Sequence, residues 1–170
     1  MEVPLDAEAR RWEANEITVA QEHTATAIAQ YVLALLYERL RPEEIRRGKA
    51  VITGVEGELH QVGANMVADA LEADGWDVRF LGTNMPHEGI LKVVQEHEAD
   101  VVGISATMLF NLPNVRRLVA EVKQGSGEKV RVVVGGGAFR SAPKVYVEMG
   151  ADGSAPGLRE AINLLRGLPQ

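Results

Sequence analysis

A doubly wound α/β domain built on a five-stranded parallel sheet is predicted by three features of the sequence. From Lys49 onward, apolar runs and amphipathic stretches alternate five times. Runs such as Val101-Val102-Gly103-Ile104 and Val130-Arg131-Val132-Val133-Val134 are apolar nearly throughout, which suits parallel strands covered on both faces. Each crossover is long enough for a helix, so successive strands run the same way. Five such strands favour the flavodoxin-like order 2-1-3-4-5.

Strands are expected at 50–53, 78–81, 101–104, 130–134 and 151–154, with helices at 61–73, 87–98, 112–123, 141–149 and 156–166. Ahead of them, Thr18 opens a long helix. Thr18 and Gln21 have capping-box spacing, and Val19, Ala27, Ile28, Val32 and Leu35 recur at helical intervals. Pro42 stops it, because proline disfavours helical backbone in the residue before it. A helix from Thr18 to Leu40 would be roughly 35 Å long, which points to a separate helical module. The expected organisation is a partial helical-bundle cap at 1–41, a linker at 42–48 and the α/β domain at 49–170.

The 170 residues are 46% hydrophobic, enough for a substantial core. Cysteine is absent, which excludes disulfides, thiolate metal sites and a cysteine nucleophile. The net charge of −6 is the wrong sign for an unspecific nucleic-acid binder. The start lacks the basic and apolar regions of a signal peptide, and no apolar run would span a bilayer, so a cytoplasmic protein is expected.

In this topology ligands bind beyond the carboxyl ends of the first and third strands. The loop after the first strand reads Gly54-Val55-Glu56-Gly57-Glu58-Leu59-His60-Gln61-Val62-Gly63. A histidine can give one ring nitrogen to a metal while the other donates to a carboxylate, here Glu58. On composition alone such a pair is more often a surface pair. The second loop, Ser105-Ala106-Thr107-Met108-Leu109, could equally hold a serine that bonds its own turn. The third, Gly135-Gly136-Gly137, is either a tight turn or a close approach to a flat ligand. No GxxxxGK[ST] run exists, and Gly54, Gly57 and Gly63 have the wrong spacing for a dinucleotide fingerprint. The aspartate cluster of a phospho-receiver is also missing. His87, after Pro86, reads as a capping or surface residue.

Taken together, Glu58-x-His60-x-x-Gly63, Ser105-x-Thr107 and Gly135-Gly136 resemble the cobalamin-binding, Rossmann-like domains of the methionine synthase and methylmalonyl-CoA mutase type. The resemblance implies a cobalamin whose lower base leaves cobalt and is replaced by His60, the metal ligand. Gly57, Glu58, Leu59, Gln61, Val62 and Gly63 would flank it. Ser105, Thr107, Leu109 and Gly135–Gly137 would line the slot for the nucleotide tail, with Gly153 and Ser154 near its far end. Glutamate replaces the usual aspartate, and this is similar to the light-sensing branch.

Trp12, followed after nine residues by Glu22-His23, is similar to the helical cap of adenosylcobalamin-dependent photoreceptor regulators. That implies a cap over the upper face, with light breaking the cobalt–carbon bond and changing cap or assembly contacts. Where some of those regulators carry a histidine after the tryptophan, this chain has Glu13. The leading expectation is therefore a non-enzymatic, light-sensing, adenosylcobalamin-binding regulator that works with a protein partner or a second copy through the cap helix and touches no DNA itself. The alternative is a corrinoid carrier of a methyltransferase system, holding methylcobalamin. A third reading, a bare interaction domain, leaves His60, Ser105 and the three glycines unrelated.

Overall fold

The computed structural model describes residues 18–37, 39–40, 47–126 and 129–167. The chain divides into two compact units, Met1–Arg41 and Pro42–Gln170.

In the first unit, helix α1 spans Val19–Tyr37. Its start is the expected capping box: the Gln21 N–H donates to Thr18 Oγ1 (3.3 Å), and the Thr18 N–H donates to Gln21 Oε1 (2.9 Å). The helix is three residues shorter at its end than expected, closing in a turn at Arg39 and Leu40. Nineteen residues make about 28 Å. Its apolar residues are not enclosed: Ile28, Val32, Leu35 and Leu36 are all exposed.

The second unit is a parallel sheet in the order β2-β1-β3-β4-β5. The strands are β1 (Gly48–Gly54), β2 (Trp76–Phe80), β3 (Val101–Ser105), β4 (Arg131–Gly135) and β5 (Gly153–Ala155). Between them run α2 (Val62–Ala73), α3 (His87–Glu96), a 3₁₀ turn (Leu109–Asn111) leading into α4 (Leu112–Ser126), then α5 (Gly137–Ser141), α6 (Val145–Glu148) and, after β5, α7 (Leu158–Arg166). This is the predicted doubly wound fold. No described helix is long and apolar enough to cross a membrane.

Strand alternation sorts the core into two layers. Val51, Val102, Ile104, Val132 and Val134 face Ile90, Val94, Val115, Leu118 and Phe139 from α3, α4 and α5. Ala50, Ile52, Val101 and Val133 face Ala64, Ala68 and Leu71 of α2 and Ala161 and Leu165 of α7. The alanines let α2 and α7 sit close to the sheet and to each other. Because α2, which leaves β1, and α4, which leaves β3, lie on opposite faces, the crevice opens where β1 and β3 end side by side, with Gly54 paired to Ser105. The row continues from Ser105 to Gly135 and from Gly135 to Ala155.

Three expectations need correction. The helix expected at 141–149 is two short helices, because Pro143 forces Ala142 out of the helical region (φ −133, ψ 69). The last helix starts at Leu158 rather than Pro156, after an extended Gly157. His87 is no surface residue: its side chain is 9% exposed, and Nδ1 lies 2.7 Å from Glu121 Oε2 on α4. Trp12, Glu13 and most of the expected linker lie outside the described residues.

At the edge opposite the crevice, Asp74 is buried after α2 and accepts from Arg166 Nε and a second Arg166 nitrogen. It also pairs with Arg47 Nε at 2.9 Å. One carboxylate thereby ties the strand leading into the domain to its last helix. The Arg166 guanidinium holds the Asp74 carboxyl below its ordinary range. Asp74→Ala is expected to lower stability by about 1.5–3 kcal/mol, the range for hydrogen bonds to charged groups, read as a lower urea midpoint with an unchanged slope.

Candidate functional site

The first loop leaves β1 at Gly54 and turns through Glu56 and Gly57 before α2 starts at Val62. Gly57 takes φ +86, a conformation L side chains rarely adopt. Both of its peptide groups are held by asparagines from other loops. The Gly57 N–H donates to Asn84 Oδ1 (2.9 Å), and Asn111 Nδ2 donates to the Gly57 carbonyl (3.4 Å). Asn114 Nδ2 donates to the Glu56 carbonyl (3.0 Å). Asn84 itself stands at φ 57, which asparagine tolerates better than other side chains.

This turn drives Glu58 inward until its side chain has no solvent exposure. A buried carboxylate needs donors, and four are supplied. Oε1 accepts from the His60 backbone N–H (2.9 Å) and from His60 Nδ1 (2.6 Å). Oε2 accepts from the Thr107 backbone N–H (2.7 Å) and from Asn111 Nδ2 (3.0 Å). Burial pushes the carboxyl up, but the His60 ring and backbone, Thr107 and Asn111 outweigh it and hold it at about 2, below the ordinary 4.5.

An ionised carboxylate only accepts, so His60 Nδ1 carries the ring proton. The lone pair is then on Nε2, the nitrogen able to bind a metal. The ring is half exposed while its partner is enclosed. A carboxylate behind an imidazole fixes the tautomer and raises the basicity of the other nitrogen. The pair is thus a built unit and not a surface ion pair.

The other expected residues fall around this unit in different ways. Leu59 and Leu109 are exposed apolar residues in the two joined loops. Met108 and Phe110, unremarked in the sequence, are exposed beside Leu109. Thr107 acts through its backbone. Ser105 is the last residue of β3, paired to Gly54 and Gly135. Gln61 precedes α2, and Val62 is buried at its start.

The glycines divide into two kinds. Gly136 has φ +99, and a Cβ there would lie 2.5 Å from the Ala106 carbonyl oxygen. A Cβ on Gly135 would meet the Ala155 carbonyl oxygen at 2.6 Å, and one on Gly153 would meet Leu164 at 2.8 Å. The fold itself needs these. Gly63, in the first turn of α2 and three residues from His60, meets nothing within 4 Å. No packing inside the protein asks for glycine there, although glycine weakens a helix by about 1 kcal/mol relative to alanine. Clear space in the first turn of α2, three residues from His60, fits a bulky metal-centred cofactor.

Asn84 and Asn111 were invisible as site residues in the sequence. Asn111 stands just ahead of Leu112-Pro113, where asparagine reads as a helix cap. Its partner Glu58 is 53 positions away.

The family model for the B12 binding domain matches residues 48–163. A corrinoid protein of Desulfitobacterium hafniense is 33% identical over 120 residues, covering 69% of this chain and 54% of its own length, so the match takes in just over half of that relative. Dimethylamine corrinoid protein 3 of Methanosarcina mazei is 31% identical over 132 residues, 74% of this chain and 79% of its own length. Among solved structures, the monomethylamine corrinoid protein of Methanosarcina barkeri aligns with a TM-score of 0.84 at 23% identity, over 96% of this chain and 78% of its own, and so shares the fold.

These relatives overturn the expectation of a light-sensing transcriptional regulator, along with the photoreceptor and signalling roles attached to it. The matches are corrinoid proteins, two of them of methylamines. The physical reason the motif misled is local. Glu22 accepts a hydrogen bond from Thr26 Oγ1 (2.8 Å), and His23 is largely exposed on α1. Polar residues at helical spacing on an exposed helix are common. Trp12 lies outside the described residues.

Glu58→Gln replaces one acceptor oxygen with a donor facing donors. It is expected to cost about 2 kcal/mol at neutral pH. Because the folded carboxyl is depressed to about 2, its stabilisation is full above pH 4.5 and fades as the pH falls toward 2. The unfolding free energies of the wild type and Glu58→Gln should therefore converge over that window in urea titrations run at successive pH values.

Proposed function

The chain belongs to the B12-binding domain family, and from that membership we propose that it is the corrinoid-carrying part of a methyltransferase system, with His60 as the lower ligand of cobalt. One observation carries the cofactor site: the Nδ1–H of His60 is committed to the buried Glu58, which leaves the lone pair on Nε2. The carrier role is supported by the relatives, named as corrinoid proteins and, in one case, a dimethylamine corrinoid protein.

When bound, the corrinoid supplies a cobalt that accepts and releases a methyl group. The chain's own residues hold and orient it. Glu58 keeps the His60 tautomer, Gly63 leaves room at the start of α2, and Leu59, Met108 and Leu109 offer apolar surface to the macrocycle. Ser105 and the Gly135–Gly137 turn border the path of the nucleotide tail, with Gly153 and Ser154 farther along the sheet edge. Residues 1–41 are read as part of a helical cap carrying Trp12, Glu22 and His23, and the apolar side of α1 as the contact for a partner protein. The methylated form of the cofactor is favoured over the adenosyl form.

The test is transfer of isotope-labelled methyl groups. The full chain is loaded with hydroxocobalamin, reduced, and given labelled methylamine with a methylamine:corrinoid methyltransferase. Label should appear in the protein-bound cofactor and depend on His60, with His60→Ala retaining corrinoid poorly or returning the lower base to cobalt. A chain that keeps corrinoid but never acquires label ends the carrier role. One that never keeps corrinoid ends the site.

Gly63→Ala separates folding from binding. Without corrinoid it should stabilise the protein by about 0.5–1 kcal/mol, since α2 gains helix propensity and no clash arises. With hydroxocobalamin it should bind more weakly than the wild type by spectral titration.

A further inference from the structure

We infer that Asn111 is a positioning residue for His60, acting through the second oxygen of Glu58. The inference rests on the proposed cofactor site and adds a residue to it.

The two oxygens of Glu58 have separate tasks. Among the described residues, Oε1 serves His60, through the backbone N–H and Nδ1. Oε2 serves the β3–α4 loop, through the Thr107 N–H and Asn111 Nδ2. A carboxylate is planar, so anchoring Oε2 fixes where Oε1 points, and Oε1 fixes the plane of the imidazole. The Thr107 N–H is a single bond about which the carboxylate can still swing. Asn111 is the second anchor, 2% exposed, and the same Nδ2 also reaches the Gly57 carbonyl. One amide therefore sets both the side chain of Glu58 and the turn before it. Ser105 belongs to the same β3 end, but Asn111 is the side chain that reaches Glu58.

This role differs from general bracing of the loop. A brace would change melting temperature alone. A positioning residue changes which ring nitrogen of His60 carries the proton and how well the ring meets cobalt. Loss of such an outer partner commonly weakens metal binding by roughly tenfold or more.

The experiment measures His60 in the full chain in two ways. In protein labelled with ¹⁵N-histidine, ring shifts without corrinoid give the tautomer, and the ¹⁵N doublet in the electron paramagnetic resonance spectrum of bound cob(II)alamin, which the unlabelled lower base cannot produce, gives coordination by histidine. Asn111→Ala should reduce the Nδ1–H tautomer, shrink the histidine-coordinated fraction and weaken corrinoid binding by roughly tenfold. Asn111→Ser, which keeps a donor, should recover part of each. Asp74→Ala destabilises the opposite edge and should leave the tautomer at its wild-type value. Asn111→Ala with an unchanged tautomer and an unchanged axial fraction overturns the inference. Should Asn111→Ala not fold, Asn111→Ser decides alone: an intermediate tautomer ratio supports the role and a wild-type ratio overturns it. A wild-type protein with no axial nitrogen from His60 overturns the cofactor reading instead, while the shifts taken without corrinoid still judge Asn111.

Discussion

A carboxylate without any contact to water sits between the two loops that close the crevice, and it is charged. Burial alone would neutralise Glu58. Its charge persists because four donors converge on it, two from its own loop and two from the loop after β3. Those donors come together only because β1 and β3 are neighbours that end in register at Gly54 and Ser105. The crossing of the chain at the centre of the sheet is thus converted into a fixed direction for one imidazole. Had the strand order been sequential, Thr107 and Asn111 would stand beside a different loop, and Glu58 would have only its local partners.

The glycines show how that arrangement is bounded. Around β4 and β5, backbone lies so close to backbone that a methyl group would strike a carbonyl oxygen, as at Gly136 against Ala106. These glycines would be required whether or not anything bound there. Gly63 is of the other kind, since its neighbourhood is empty and its helix would gain from a side chain. A glycine that packing does not demand, three residues from His60, lies on the proposed reading at the side from which the cofactor would approach.

Much of this was legible in the sequence, for identifiable reasons. The strand order follows from the count of βα units, and strand alternation puts Val132 and Val134 on one layer with Val133 on the other without long-range knowledge. Glu58 and His60 were legible as a pair because they are two residues apart. Asn111 and Asn84 were not, because each meets the first loop across more than twenty-five positions. His87 was misread for the same reason: its partner Glu121 is on another helix. The break at Ala142 was within reach, since Pro143 stands in the sequence inside the helix expected at 141–149. The light-sensing reading failed differently. It transferred a whole mechanism onto the spacing of Trp12, Glu22 and His23, three residues of common types whose separation in the sequence specifies little.

The division of labour within Glu58 bears on what a carrier has to do. On the proposed reading, His60 would hold the cofactor while partner proteins meet it, so the direction of the imidazole would have to persist. A ring held by its own backbone alone would be free to tilt away. A ring whose proton is held at 2.6 Å by an anchored, charged oxygen keeps its direction and its basicity. Exposure is arranged accordingly: the carboxylate is enclosed, the imidazole is half open, and the apolar side chains of Leu59, Met108, Leu109 and Phe110 stand exposed in the loops around it. The enclosed half of the site lies inside the sheet edge, and the exposed half is where, on the proposed reading, cofactor and partner would be met.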